Sequence, residues 1–202
     1  MSASSAFAIS TVTFTDGPGS TGGGEFNATT SDNGNFVTFC LQYNEHISLG
    51  GQFYYEISTT TKPGTPDPIS KATAWLYNEF LNGTLTGYSH TTTEANRLQK
   101  AIWWLEDEAT GAGQIAANQE ANNYVIAALN ATGANGKTEA ANGAYGVYVM
   151  NVWSSYDSPN GTYSGAKQDQ LIRIPVPDGG TTLALLGMSM GFVAYASRRI
   201  RK

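Results

Sequence analysis

Thr91-Thr92-Thr93-Glu94-Ala95-Asn96-Arg97-Leu98-Gln99-Lys100-Ala101-Ile102-Trp103-Trp104 decides the fold class, because it reads as a helix set between segments of strand character. Thr91 and Glu94 have the spacing of a capping box, in which side chains satisfy backbone N–H groups left open at a helix start. The pattern continues to about Ala109, and Gly111 and Gly113 then stop it. An earlier helix is predicted over 69–81, with Ile69, Ala72, Leu76 and Phe80 at helical spacing and Gly83 beyond its end. A third covers about 117–129.

Outward from these helices the chain turns to strands. Residues 9–15 alternate apolar with small polar side chains, and 36–42 and 52–59 are aromatic and β-branched. Residues 17–24 read as a flexible Gly-rich loop, and Pro63, Pro66 and Pro68 mark a loop between strands and helices. Strand character returns at 145–153 and 170–174. The expected class is α+β: a β-sheet or sandwich formed by N- and C-terminal strands, interrupted by a helical insert, plus a C-terminal membrane helix.

That last helix belongs to a tail in three parts. Val176-Pro177-Asp178-Gly179-Gly180 is followed by an uncharged apolar run over 181–197, then by Arg198, Arg199, Arg201 and Lys202. A membrane-spanning helix needs roughly 17 to 25 apolar residues, so the run is at the short end. The basic cluster favours the cytoplasmic side, leaving everything before it outside. A buried core helix is the alternative, but such a helix carries a polar stripe that this run lacks. The tail resembles the sorting signals recognised by exosortases, the PEP-CTERM family and its Val-Pro-Asp variant. The resemblance implies export, transient anchoring in a bacterial inner membrane, and cleavage by an exosortase-type enzyme near Asp178 to Gly180.

Composition fits an exterior protein. The formal net charge is −5, and basic residues cluster only in the tail, which argues against nucleic acid as a partner. Ala6-Phe7-Ala8 has the small-x-small pattern that ends a secretory signal peptide, so residues 1–8 read as its remnant, with the true start upstream. Residues 9–175 are enough for one domain with its own core, and 176–202 form the sorting signal.

Cys40 is the only cysteine, so no internal disulfide is possible. In Phe36-Val37-Thr38-Phe39-Cys40-Leu41 it reads either as a small buried hydrophobe or as a reactive thiol. Helical spacing sets Gln99 beside Ala95, Ile102 and Trp103 on an apolar side, where an unpartnered carboxamide costs about 1–3 kcal/mol. Gln99 therefore either bonds the sheet edge or is joined to the Cys40 sulfur.

Phe39-Cys40-Leu41 and Leu98-Gln99-Lys100-Ala101-Ile102-Trp103 together resemble the paired motifs of bacterial surface thioester domains. That resemblance implies a bond between Cys40 sulfur and the Gln99 side-chain carbon, shielded from water by Phe39, Trp103 and Trp104. It also implies single-use covalent attachment to an amine-bearing surface, matrix or host molecule rather than turnover catalysis. No cofactor or metal is expected. Two other classes stay open: a matrix- or exopolysaccharide-associated surface protein without a thioester, and a cysteine hydrolase or transglutaminase-like enzyme pairing Cys40 with His46 or His90. Asn27-Ala28-Thr29, Asn82-Gly83-Thr84, Asn130-Ala131-Thr132 and Asn160-Gly161-Thr162 read as turns. Glu106, Asp107 and Glu108 read as a solvated face, and Asp169 as a turn or cap.

Overall fold

The computed structural model describes residues 9–20, 23–108 and 118–175. Its strands are β1 (Thr11–Ser20), β2 (Gly23–Thr30), β3 (Asn35–Thr38), β4 (Gln52–Ser58), the short pair β5 (Thr60–Thr61) and β6 (Asp67–Pro68), β7 (Val147–Asp157) and β8 (Thr162–Arg173). Helices α1 (Lys71–Asn82), α2 (Thr92–Leu105) and α3 (Asn123–Thr132) lie between β6 and β7. The class is α+β, as expected, with an antiparallel main sheet in the order β3-β2-β1-β4-β7-β8.

Among the described residues there is no second main sheet to make a sandwich. The single sheet curls until its edges meet: Cys40, just after β3, bridges Gln170 of β8, Leu41 N donates to Asp169 O at 2.9 Å, and Leu171 N donates to Phe39 O at 3.1 Å. Cross-strand pairs Val12–Phe53, Phe14–Ala28 and Tyr55–Val152 put one set of side chains on the enclosed face. These, with Met150 and Ile172, form one core cluster. Val147, Val149 and Leu171 alternate to the other face and meet Leu76, Phe80, Leu98, Ile102 and Val125 of the helices in the larger core.

Local chemistry explains the helix limits. The Ser70 hydroxyl caps α1, and Gly83 ends it in the left-handed region at φ 69°. Thr91 caps α2 by accepting from Glu94 N at 3.3 Å, whereas the Glu94 carboxylate is taken by the Tyr124 hydroxyl, so only half of the expected box forms. α2 ends at Leu105, short of Ala109, and α3 starts at Asn123, capped by Asn122. The expected glycine stop at 111 and 113 and the start at Ala117 lie outside the described residues, as do the signal remnant and the tail from Val176. Among the described residues no helix is long and apolar enough to cross a membrane.

Within the supposed Gly-rich loop, the described residues 17–20 and 23–24 are instead strand. Ser20 faces Gly23 and Gly19 faces Gly24 across the β1–β2 hairpin, with a register shift between Asp16 and Gly19. A side chain on Gly24 would come within 2.6 Å of the Gly19 Cα, so glycine there permits close pairing. Asn27-Ala28-Thr29 likewise lies inside β2, Asn130 lies inside α3, and Asn82 is the last residue of α1. Of the four Asn-x-Thr segments, Asn160-Gly161 forms the expected turn between β7 and β8, and Gly83 turns the chain at the end of α1.

Candidate functional site

Strand alternation separates Cys40 from its neighbours. Phe39 and Leu41 enter the helix-side core, where the Phe39 ring meets Phe80 edge-on at 5.0 Å, while Cys40 turns to a small cluster with Trp103. On α2, Gln99 and Trp103 are one turn apart and share a face. The Gln99 carboxamide lies along the backbone of Cys40: Oε1 accepts from Cys40 N at 3.1 Å, and Nε2 donates to Cys40 O at 2.8 Å. Both residues are 1% exposed. The two motifs, 59 residues apart in sequence, are thus brought into direct contact.

Of the three expected shielding residues, Trp103 alone joins the Cys40 cluster. It is 3% exposed, and Tyr43 packs edge-on against it at 5.0 Å. Phe39 lies on the other side of its strand. Trp104 points away to the margin of the main core, with the Lys137 ammonium 4.3 Å above its ring. Burial pushes the Cys40 thiol up to about 12, with the neighbouring Gln170 side chain offsetting part of this.

A cavity of about 1010 Å³ opens beside this contact, lined by Gly23, Glu25, Cys40, Tyr43, His46 and Trp103 among others. Gly23 explains how the hairpin lies so close to α2. A Cβ there would sit 2.7 Å from both Gln99 Cγ and Trp103 Cη2, and its φ of +122° disfavours any other residue. The Ser20 N–H and hydroxyl, at the other side of the hairpin, both donate to Asn96 Oδ1 on α2 at 3.1 Å.

Several polar groups have roles their sequence context conceals. Glu25, 4% exposed, accepts from the Tyr88 hydroxyl, and His90 Nδ1 lies 3.0 and 3.2 Å from its two oxygens. His90 is therefore directed at Glu25, while His46 is an exposed residue on the cavity rim. Among the described residues no group of three or more His, Cys, Asp or Glu could hold a metal ion.

Asp169 is not a turn or cap but a buried strand residue. It accepts from Lys62 N at 2.9 Å, Gln42 Nε2 at 3.0 Å, Asn151 Nδ2 at 2.9 Å and Val152 N at 3.1 Å, while its own N–H donates to Gln42 Oε1 at 2.6 Å. It thereby ties the Cys40 segment to β7 and β8. Burial raises its carboxyl to about 6. Nor are the acids after α2 a uniform solvated face. Glu106 receives Ser70 N at 3.1 Å, and burial raises it to about 7. Glu108 receives Tyr43 N at 3.1 Å and is also raised by burial. Asp107 is exposed and pairs with Lys137.

Comparison with known proteins bears on the tail. Residues 175–200 match the VPDSG-CTERM motif. Gly179 stands where the motif's name has serine. The chain is therefore an exported protein directed to the cell surface, and its tail implies processing by an exosortase-type enzyme. No curated protein and no solved structure matches the chain.

Proposed function

We propose that the domain is displayed outside the cell and captures a partner covalently, through a thioester between Cys40 Sγ and the Gln99 side chain. The observation that carries this reading is the pair of hydrogen bonds holding the Gln99 carboxamide against the backbone of Cys40, a residue that lines an open cavity. Formation needs no oxidant. The thiolate attacks the Gln99 carboxamide carbon, the carbon–nitrogen bond breaks, and ammonia leaves. A partner amine then attacks the same carbon, the carbon–sulfur bond breaks, and Cys40 regains its proton. The product is an amide, so the domain acts once and does not turn over. In this reading 181–197 anchors the precursor in the inner membrane, with Arg198, Arg199, Arg201 and Lys202 on the cytoplasmic side, until the exosortase cuts near Asp178 to Gly180.

A second reading is a non-covalent matrix or exopolysaccharide protein. It is favoured by two observations: Gln99 already has partners for both polar atoms, and burial holds the Cys40 thiol protonated, as in an inert core pair. Pairing of Cys40 with His90 has less support, because His90 engages Glu25.

Intact mass separates these readings. A thioester lowers the mass by about 17 Da, and methylamine converts this to a gain of about 14 Da over the unbonded mass, with Cys40→Ala showing neither change. A full-mass protein with a free thiol and no adduct would leave the passive module.

A further inference from the structure

Gln170 is a second carboxamide at Cys40, and its own bonding is incomplete. The residue is fully buried, yet Oε1 has no hydrogen-bond partner among the described residues, and Nε2 donates to Gln168 O at a long 3.3 Å. A buried amide left in this state needs an explanation. Its place is set by the seam that closes the sheet. Cys40 and Gln170 face each other there, and the closing bonds run between their neighbours, Leu41 N to Asp169 O and Leu171 N to Phe39 O. This is the non-hydrogen-bonded kind of antiparallel pair, in which Cα atoms stand about 4.5 Å apart and the two side chains lie together on one face. The N–H and C=O of Cys40 then point away from β8, and these are the groups that the Gln99 carboxamide takes. Cys40 thus sits between two carboxamides, Gln99 on its backbone and Gln170 beside its side chain. On its other side Gln170 is paired with Met150 of the apolar core, which offers the amide no strong partner.

We propose that the second N–H of Gln170 Nε2 donates to the Cys40 sulfur whenever that sulfur carries negative charge, first as the attacking thiolate and later as the leaving group. The inference rests on the thioester reading and deepens it, by naming the group that holds the sulfur's charge in an apolar site. The Gln168 carbonyl orients the amide, because the oxygen end turned that way would meet another acceptor. Burial raises the Cys40 thiol, and the Gln170 side chain offsets part of that rise, which is the effect of a donor on an anion. Gln170 itself neither gains nor loses a proton. During formation the thiol proton ends on the departing ammonia; during discharge the proton given up by the attacking amine ends on sulfur. Between those transfers the sulfur is charged, and the donated N–H is what it has in place of water.

The test compares wild type, Gln99→Ala, Gln170→Met and Gln170→Glu, scored for the mass deficit and then for the rate of discharge by methylamine, with circular dichroism to follow folding. Methionine keeps the length of the side chain and removes the donor. Glutamate keeps the shape, donates when protonated and cannot donate when ionised. The deficit should appear in wild type and be absent from Gln99→Ala. Discharge of Gln170→Met should be about 30-fold slower, the loss of one hydrogen bond to a charged atom. Discharge of Gln170→Glu, taken relative to wild type at each pH, should be within about threefold at pH about 5 and fall at least about tenfold by pH about 9, as the buried carboxyl ionises. A deficit in wild type and Gln170→Met with equal discharge rates overturns the role of Gln170 and leaves the thioester standing. No deficit in the wild type overturns the thioester, and this role with it. A deficit kept in Gln99→Ala but lost in Gln170→Met overturns both, because Gln170 would then be the acyl donor itself. Where Gln170→Met does not fold, or neither it nor Gln99→Ala shows a deficit, Gln170→Glu decides alone: a deficit absent at every pH, or a relative rate that does not fall as pH rises, overturns the role.

Discussion

Asp169→Ala should be one of the most destabilising single substitutions in the domain. Its carboxylate serves four donors, three of them on one oxygen: Lys62 N, Gln42 Nε2 and Asn151 Nδ2 on Oδ2, and Val152 N on Oδ1. Alanine leaves Lys62 N, Gln42 Nε2 and Val152 N without that acceptor, and Asn151 Nδ2 with Thr60 O alone. Each orphaned buried donor costs about 1–3 kcal/mol, and water entering the vacated space recovers part of that, so a net loss of about 4 kcal/mol is expected. A domain of this size is stable by only about 5–15 kcal/mol in total. Asp169→Asn should be milder, at about 2 kcal/mol, because its one oxygen can keep the three donors while its amide faces only Val152 N. The folded carboxyl lies at about 6, against an ordinary value of 3.8, so the native state holds that proton more tightly than the unfolded chain. Ionising it costs about 3 kcal/mol, lost progressively as pH rises from roughly 4 to 6. Asp169→Asn should remove that part of the pH dependence, while the part from Glu106, falling between 4.5 and about 7, persists. Urea unfolding of the three proteins at several pH values reads all of this. A loss below about 1 kcal/mol for Asp169→Ala would refute the reasoning.

Gly23→Ala should push Gln99 off Cys40, since the new methyl group would sit 2.7 Å from Gln99 Cγ; intact mass should then show no ammonia loss even if the wild type does. Trp103→Ala should cost about 3–5 kcal/mol by denaturant unfolding, whereas Trp104→Ala, half-buried at the core margin, should cost less. Replacing Val176-Pro177-Asp178 by alanines should leave the precursor uncut in its native host, seen as retention of the full-length mass in the membrane fraction. An unchanged ratio of cut to uncut protein would show that the exosortase reads something else.

The helices were legible because their signals are local. Ser70, Gly83 and the Thr91 cap each act within four residues of themselves, and the apolar spacing of α1 survives intact in the core. The β1–β2 hairpin was not legible, because part of what fixes it lies 76 residues away: Ser20 meets Asn96, and Gly23 meets Gln99. Asp169 and Glu25 were missed for a related reason. A single acid among polar or glycine residues looks solvated until strand register decides which way it points. Cys40 and Gln99 stood out because each was anomalous where it stood, one as a lone thiol and the other as an amide on an apolar helix face. Which aromatic rings would lie beside them depended on alternation and helix phase, so Trp103 was found there and Phe39 and Trp104 were not.

The strand that meets the Cys40 segment is also the strand from which the tail departs. β8 runs to Arg173 with β7 hydrogen-bonded along one side and the segment around Cys40 bridged to the other. A pull on the C-terminal end is therefore directed along the axis of β8, across its hydrogen bonds rather than in line with them. Bonds arranged this way share the load and fail together, whereas a strand peeled sideways loses them one at a time. The seam that closes the sheet is thus also a mechanical clamp, placed where tension transmitted through the C-terminus enters the fold.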